Sequence, residues 1–168
     1  MSYEVVNAFI SYYDTVNAAN RVYTSSVPTY HTNKNELQKE EGSKSGPYIE
    51  TYVVEQDYTE TADTIKTTSN NTTAPVMFEQ GQIIFQIFVA DTFGNKDSYI
   101  QARIMDNLKR IFSMLYLTTS DGSNIRFLDC QPRQAIVIDR KLKNRGRGQL
   151  QQWRRQDLLI NYVLSGSY

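Results

Sequence analysis

The sequence predicts an α+β fold: a mainly antiparallel β-sheet flanked by two helices, with long hairpin and loop excursions. Three observations predict it. Two stretches, near the start and the middle of the chain, carry apolar residues at helical spacing. Several others are rich in Tyr, Val and Ile and are bounded by turn residues. These strand-like runs follow one another in groups instead of alternating with helices. The 168 residues suit a single domain spanning 1–168, which at this size buries roughly 70% of its unfolded surface.

Residues 3–19 form the first predicted helix, with Val5, Phe9, Tyr12 and Val16 on one stripe, Val6, Ile10 and Tyr13 beside it, and Ser2 as the N-cap. A strand is expected from Arg21 to Val27, stopped by Pro28. Residues 29–46 are polar and read as a loop that includes Tyr30, His31, Glu40 and Glu41. Pro47 opens a strand from Tyr48 to Gln56. The Thr-rich segment 57–75, which contains Tyr58, fits a long hairpin with its flexible tip within 60–75. Val76–Ala90 follows, and its run IIFQIFV is apolar enough to predict cover on both faces.

A turn at 91–96 leads to Asp97, a possible cap, and to a helix over 98–116. There Ile100, Ile104, Leu108, Ile111 and Leu115 make an apolar stripe, widened by Met105 and Phe112. After a turn at Asp121-Gly122, strands are expected at Asn124–Cys130, Gln134–Asp139 and Gln156–Leu164. The segment between the last two, about 140–152 and its continuation to 155, reads as a flexible basic loop.

Composition narrows the function. The charges are balanced, 18 basic against 18 acidic, which excludes a histone-like polyanion binder. The balance hides a split: residues 1–100 carry 6 basic and 13 acidic side chains, whereas 101–168 carry 12 and 5. Cys130 is the sole cysteine, so neither an intrachain disulfide nor a Cys-based zinc site is expected. The first residues lack a signal-peptide pattern, and no apolar run of membrane-spanning length occurs, so no membrane partner is expected.

No catalytic residue, metal site or cofactor site is predicted. His31 is the only histidine and reads as a solvated loop residue. Cys130 reads as a small, half-buried apolar side chain. Glu36, Glu40 and Glu41 lack the spacing and glycine of a calcium loop.

The strongest local feature is the basic segment with Arg140, Lys141, Lys143, Arg145, Arg147, Arg154 and Arg155, interrupted by Gly146 and Gly148. It can neutralise phosphates as a nucleic-acid module. It can be a solvated edge hairpin whose charges deter aggregation. It can dock on the acidic half of a neighbouring copy. Trp153 either stacks a base or, the preferred reading, anchors the return into the last strand. The candidate interface residues are these seven cations with Trp153, and Tyr30, Glu40, Glu41 and Tyr58 in the excursions. Twelve tyrosines fit an assembly protein, since Tyr is enriched at protein interfaces.

The order of PYIETYVVEQ, GQIIFQIFVADTFGNKDSYIQARIMDNLKRIF and QQWRRQDLLINYVL after a short N-terminal helix resembles that of tail terminator (tail completion) proteins of tailed bacteriophages. The resemblance covers most of 48–164. It implies a six-membered homo-oligomeric ring on the head-proximal end of the tail tube, which stops tube polymerisation and docks to the head-neck connector. It implies the tail tube protein and the connector as partners, with the tail sheath as a further candidate, and DNA passing through the lumen without sequence readout. Location in the virion, at the tail and neck, after assembly in the host cytoplasm, follows from the same likeness. A neck or stopper protein of the same particle, and a nucleic-acid-binding module using 140–155, are the alternatives.

Overall fold

The computed structural model describes the backbone of residues 3–34, 46–66, 73–90, 96–141 and 150–167; within these, the side chains of 55–66, 73–78, 96–97, 140–141, 150–151 and 166–167 lie outside the description. The protein is α+β. Helix α1, Tyr3–Ala18, is followed by strand β1, Thr29–His31, and a 3-10 turn, Thr32–Lys34. Two long strands, β2 (Tyr48–Lys66) and β3 (Thr73–Ala90), lead to helix α2 (Lys96–Phe112). Strands β4 (Tyr116–Thr118), β5 (Asn124–Pro132), β6 (Ile136–Lys141) and β7 (Leu150–Ser167) complete the chain. The sheet runs β1-β2-β3-β7-β5-β4, and β6 also pairs with β7. Every pairing is antiparallel except that of β1 with β2.

Helix α1 buries Val5, Val6, Phe9, Ile10, Tyr13 and Val16, as its stripe predicts. It ends where Asn20 takes a left-handed φ of 59°. Asn20 N then donates to Asn17 O and Arg21 N to Val16 O, the pairing that satisfies a helix's last carbonyls. Ser2 lies outside the described residues. Helix α2 buries Ile104, Met105, Leu108 and Phe112. It begins one residue before Asp97 and stops at Phe112, short of the expected 116. The chain turns there, with Met114 at a φ of 58°.

The segment Arg21–Val27 is not a strand. Asn17 brackets Val27, donating to its carbonyl at 2.8 Å and accepting from its amide at 2.9 Å. Asn107 of α2 donates to Val22 O at 3.0 Å. Side chains thus satisfy backbone groups that a ladder would otherwise pair. The segment is a strap whose own Val22 and Val27 are buried. The first strand comes later, at Thr29–His31, inside the stretch expected to be loop. There Tyr30 faces Glu50 and His31 faces Thr51.

Both helices pack on one face of the sheet. Ile49 and Val53 from β2, Ile83, Phe85 and Ile87 from β3, Ile125 and Phe127 from β5, and Leu158, Ile160 and Tyr162 from β7 meet them. The opposite face carries a smaller cluster of Tyr48, Phe88, Ala90 and Trp153, with Tyr30 and Ile138 against it. The run at 83–89 is therefore covered on both sides where the two clusters overlap. The last strand is twice as long as expected, because Leu150 to Arg155, with Trp153 and both arginines, and Ser165 to Ser167 belong to it.

One close approach fixes the β3–β7 register beyond the helices. Gly81 lies opposite Tyr162, whose hydroxyl donates to the buried carboxylate of Glu79 at 2.7 Å. A Cβ at position 81 would fall onto the Tyr162 ring, 2.6 Å from Cε1. Gly81→Ala is expected to cost about 1–3 kcal/mol by overpacking, measured by urea unfolding. Tyr162→Phe, which removes the hydroxyl contact and keeps the ring contacts, should relieve less of that loss than Tyr162→Ala. A neutral Gly81→Ala would show that the ring can move aside.

Candidate subunit-docking surface

Seven cations, Trp153 and four excursion residues are candidates for a partner surface, and the fold separates them into groups. Arg140 and Lys141 are the last residues of β6, opposite Gln151 and Leu150 of β7. Tyr58 is in β2 opposite Glu79, and its side chain is outside the description. Lys143, Arg145, Arg147, Glu40 and Glu41 lie outside the described residues.

Trp153 is wholly buried. Its indole meets Tyr48 edge-on at 5.0 Å, and Tyr48 stacks on Phe88 at 4.5 Å. The site is a packing anchor, and a wholly buried ring has no face for a base. Tyr30 joins the same cluster, 6.1 Å from Tyr48. Trp153 and Tyr30 thus hold the end of the sheet together from within.

Arg154 and Arg155 alternate across β7. Arg154 points to the helix side, where its Nε donates to Gln101 Oε1 at 2.9 Å. Gln101 Nε2 in turn donates to the carbonyls of Ile87 and Arg154, both at 3.0 Å. This buried amide ties α2 to β3 and β7 at once. Arg155 points to the other side and pairs with Asp157, Nε to Oδ1 at 3.1 Å. Burial raises the Asp157 carboxyl above its ordinary value, and the Arg155 guanidinium pulls against that rise. Both arginines are engaged within the protomer. Arg140 and Lys141 sit on β6, an outer strand.

That outer strand has a distinctive surface. Ile136 and Val137 are consecutive and both exposed, at 45% and 55%. Neighbouring strand residues face opposite sides, so neither side of β6 is packed at this point. Among the described strands, β6 pairs with β7 alone. Sequence reasoning missed this edge because IVID reads as an ordinary strand. The sequence signal for it is the apolar run passing directly into the cations.

His31 corrects the reading as a solvated loop residue. It is buried, with Nδ1 2.7 Å from Thr51 Oγ1 and Nε2 2.9 Å from Asp14 Oδ1. Its ring meets Phe9 and Tyr13 edge-on. The Thr–His–Asp chain resembles a nucleophile relay in composition, but Thr51 is 1% exposed, so its hydroxyl has no access to a substrate. The three residues tie α1 to β1 and β2. Cys130 is half-buried, and its Sγ approaches Lys109 O at 3.9 Å. Burial pushes its thiol up to about 11.

Neither a family model nor a curated protein matches the chain. Seven solved chains match it in fold. One of them, known only by a protein identifier, is 14% identical, with 98% of this chain and 96% of that chain covered and a TM-score of 0.59. At that identity the likeness shows the fold alone.

Two outcomes follow from the buried side chains. The fluorescence of Trp153 is expected to be that of a buried indole and to stay unchanged on adding DNA; quenching by DNA would place the ring on a binding surface. Cys130 should react with a thiol reagent much more slowly in the native protein at pH 8 than in urea, because the folded thiol stays protonated. Its native reactivity should rise as pH approaches 11. Equal native and unfolded rates at pH 8 would contradict the burial.

Proposed function

We propose that the protein is a structural virion component of the tail-terminator type, which assembles head to tail into a ring and caps a tail tube. The observation that carries this reading is the order of elements. A helix is followed by strand β2, then by strand β3 and helix α2, and at the end by strand β7. That order is the one on which the sequence resemblance rests. Supporting it, β2, whose stretch 54–66 is acidic, and β6, which ends in Arg140 and Lys141, stand on opposite sides of the sheet and are unlike. Contacts between unlike surfaces are heterologous and close into rings when the rotation divides a full turn.

The nucleic-acid-module reading loses its aromatic platform, since Trp153 is buried and Arg154 and Arg155 are bonded within the protomer. In the ring, charge on 140–147 serves register and speed of association between copies more than grip on DNA.

Native mass spectrometry of the purified chain, followed by electron microscopy with tail tubes, tests the proposal. A six-fold assembly seated at one end of the tube is expected. A chain that stays monomeric even beside tube ends would overturn it, and a position in the neck away from the tube would favour a stopper role. Arg145→Glu with Arg147→Glu should weaken assembly and leave the circular dichroism spectrum unchanged. Normal rings from that variant would make the charge asymmetry incidental.

A further inference from the structure

The sheet has two edges that no described strand covers, and they carry opposite charge. On one side, β1 pairs with β2 only at residues 49–51. Asn33 then brackets Val53, accepting from its amide at 2.7 Å and donating to its carbonyl at 3.1 Å. From Val54 to Lys66 no described strand lies on the outer edge of β2. This stretch carries Glu55, Asp57, Glu60 and Asp63 against a single cation, Lys66. On the other side, β4 covers β5 only at 124–126. The outer edge of β6 has no described strand beside it, and it exposes Ile136 and Val137. The run that continues from it holds Arg140, Lys141, Lys143, Arg145 and Arg147 against Asp139.

An exposed, β-branched strand edge is a template for pairing with another chain. Natural edges are commonly blunted by charge or proline; the exposed part of β6 has neither until Asp139. We propose that the β6 edge of one copy pairs with the outer edge of β2, from Val54 to Lys66, in the next copy, so that the sheet continues from protomer to protomer. The occupant is a second copy because this chain itself supplies the matching edge, of opposite charge. The inference rests on the ring reading and names its junction. Within one protomer β6 runs antiparallel to β2, since β2 and β6 are each separated from β7 by antiparallel pairings that differ by one step. A rotation that carries the sheet on around a ring keeps that sense, so the junction is antiparallel.

Like edges would meet badly. A two-fold, antiparallel β2–β2 contact lays Glu55, Asp57, Glu60 and Asp63 of one copy along the same four acids of the other. Opposite edges attract, and each protomer has one of each, which is the condition for head-to-tail growth.

Two variants separate the edges. One carries Ile136→Lys and Val137→Lys, which charges an edge already exposed in the monomer. The other carries Glu55→Lys, Asp57→Lys, Glu60→Lys and Asp63→Lys. Each alone should be monomeric by native mass spectrometry, with an unchanged circular dichroism spectrum. Mixed in equal amounts, they retain one sound edge each and should stop at a dimer of twice the 19.4 kDa chain mass. Wild-type rings with variants that also form rings would overturn the junction and leave the ring reading standing. A monomeric wild type beside tube ends would overturn both. If either variant unfolds, Val137→Cys with Glu60→Cys in a Cys130→Ala background replaces it. An intermolecular disulfide ladder supports the junction, and assembled rings without cross-links refute it.

Discussion

Aromatic packing between the two helices and the centre of the sheet is the constraint on which the rest of the structure depends. Phe85 of β3 lies 5.1 Å from Phe112 of α2 and 5.6 Å from Phe9 of α1, and Phe9 and Phe112 are 5.9 Å apart. Three elements distant in sequence thus share one contact. Each ring buries a large apolar area, and tilted or edge-on pairs at these separations add about 0.5–1.5 kcal/mol beyond that burial. Because side chains alternate along a strand, fixing Phe85 towards the helices fixes every second residue of β3. Phe88 and Ala90 then fall on the far side, where Tyr48 and Trp153 cover them. The same parity sends Arg154 to Gln101 and Arg155 to Asp157.

The helices cover only part of a sheet whose strands are unusually long. An 18-residue strand such as β7 extends roughly 60 Å at ~3.3 Å per residue, whereas a 17-residue helix such as α2 extends about 25 Å. The excess has to end in strand that no helix reaches. At one end it is the β2–β3 arm, held to β7 by the Gly81–Tyr162 contact and the Tyr162–Glu79 hydrogen bond. At the other it is the β6–β7 pair, held by Trp153. The β2 and β6 edges that no described strand covers lie in these overhanging stretches.

Much of this was legible in the sequence. The α+β class, the stripe of α2 and the strand at 83–89 follow from periodicity, because burial on a regular element leaves a regular pattern. The misreadings share a different cause. Arg21–Val27 has strand-like composition, but asparagine side chains take the backbone bonds that strand pairing would need. His31 sits in a polar stretch whose polarity is spent on internal bonds to Asp14 and Thr51. The Trp153–Arg154–Arg155 run looked like loop because paired arginines suggest solvent, yet each finds a partner contributed by the fold. In each case a polar group is bonded to a residue distant in the chain, Asn17 to Val27, His31 to Asp14 and Thr51, and Arg154 to Gln101, and periodicity carries no trace of that; Arg155 alone pairs locally, with Asp157. Of the candidate surface, the basic run and Trp153 were visible as features. The division between arginines engaged within the protomer and cations on an outer strand required the register of β7.

The positions of the two edges that no described strand covers decide what kind of contact they can make. Val137 lies opposite Arg154 of β7, whereas the arm reaches the level of Ser167, where Val76 pairs both with it and with Thr61. Those levels differ by roughly 40 Å along one strand at ~3.3 Å per residue. Edges displaced that far cannot meet by a sideways step alone, so in the proposed junction the strands are steeply inclined to the ring axis, as strands are tilted when a sheet closes on itself. The same displacement separates the acidic and basic edges within one protomer and leaves each available to a neighbour. Neutrality of the chain then has a physical reading: each protomer brings an excess of one sign to one junction and of the other sign to the next. A ring built this way pairs every acidic edge with a basic one, and the balance of 18 against 18 keeps the assembled charge at zero for any number of copies.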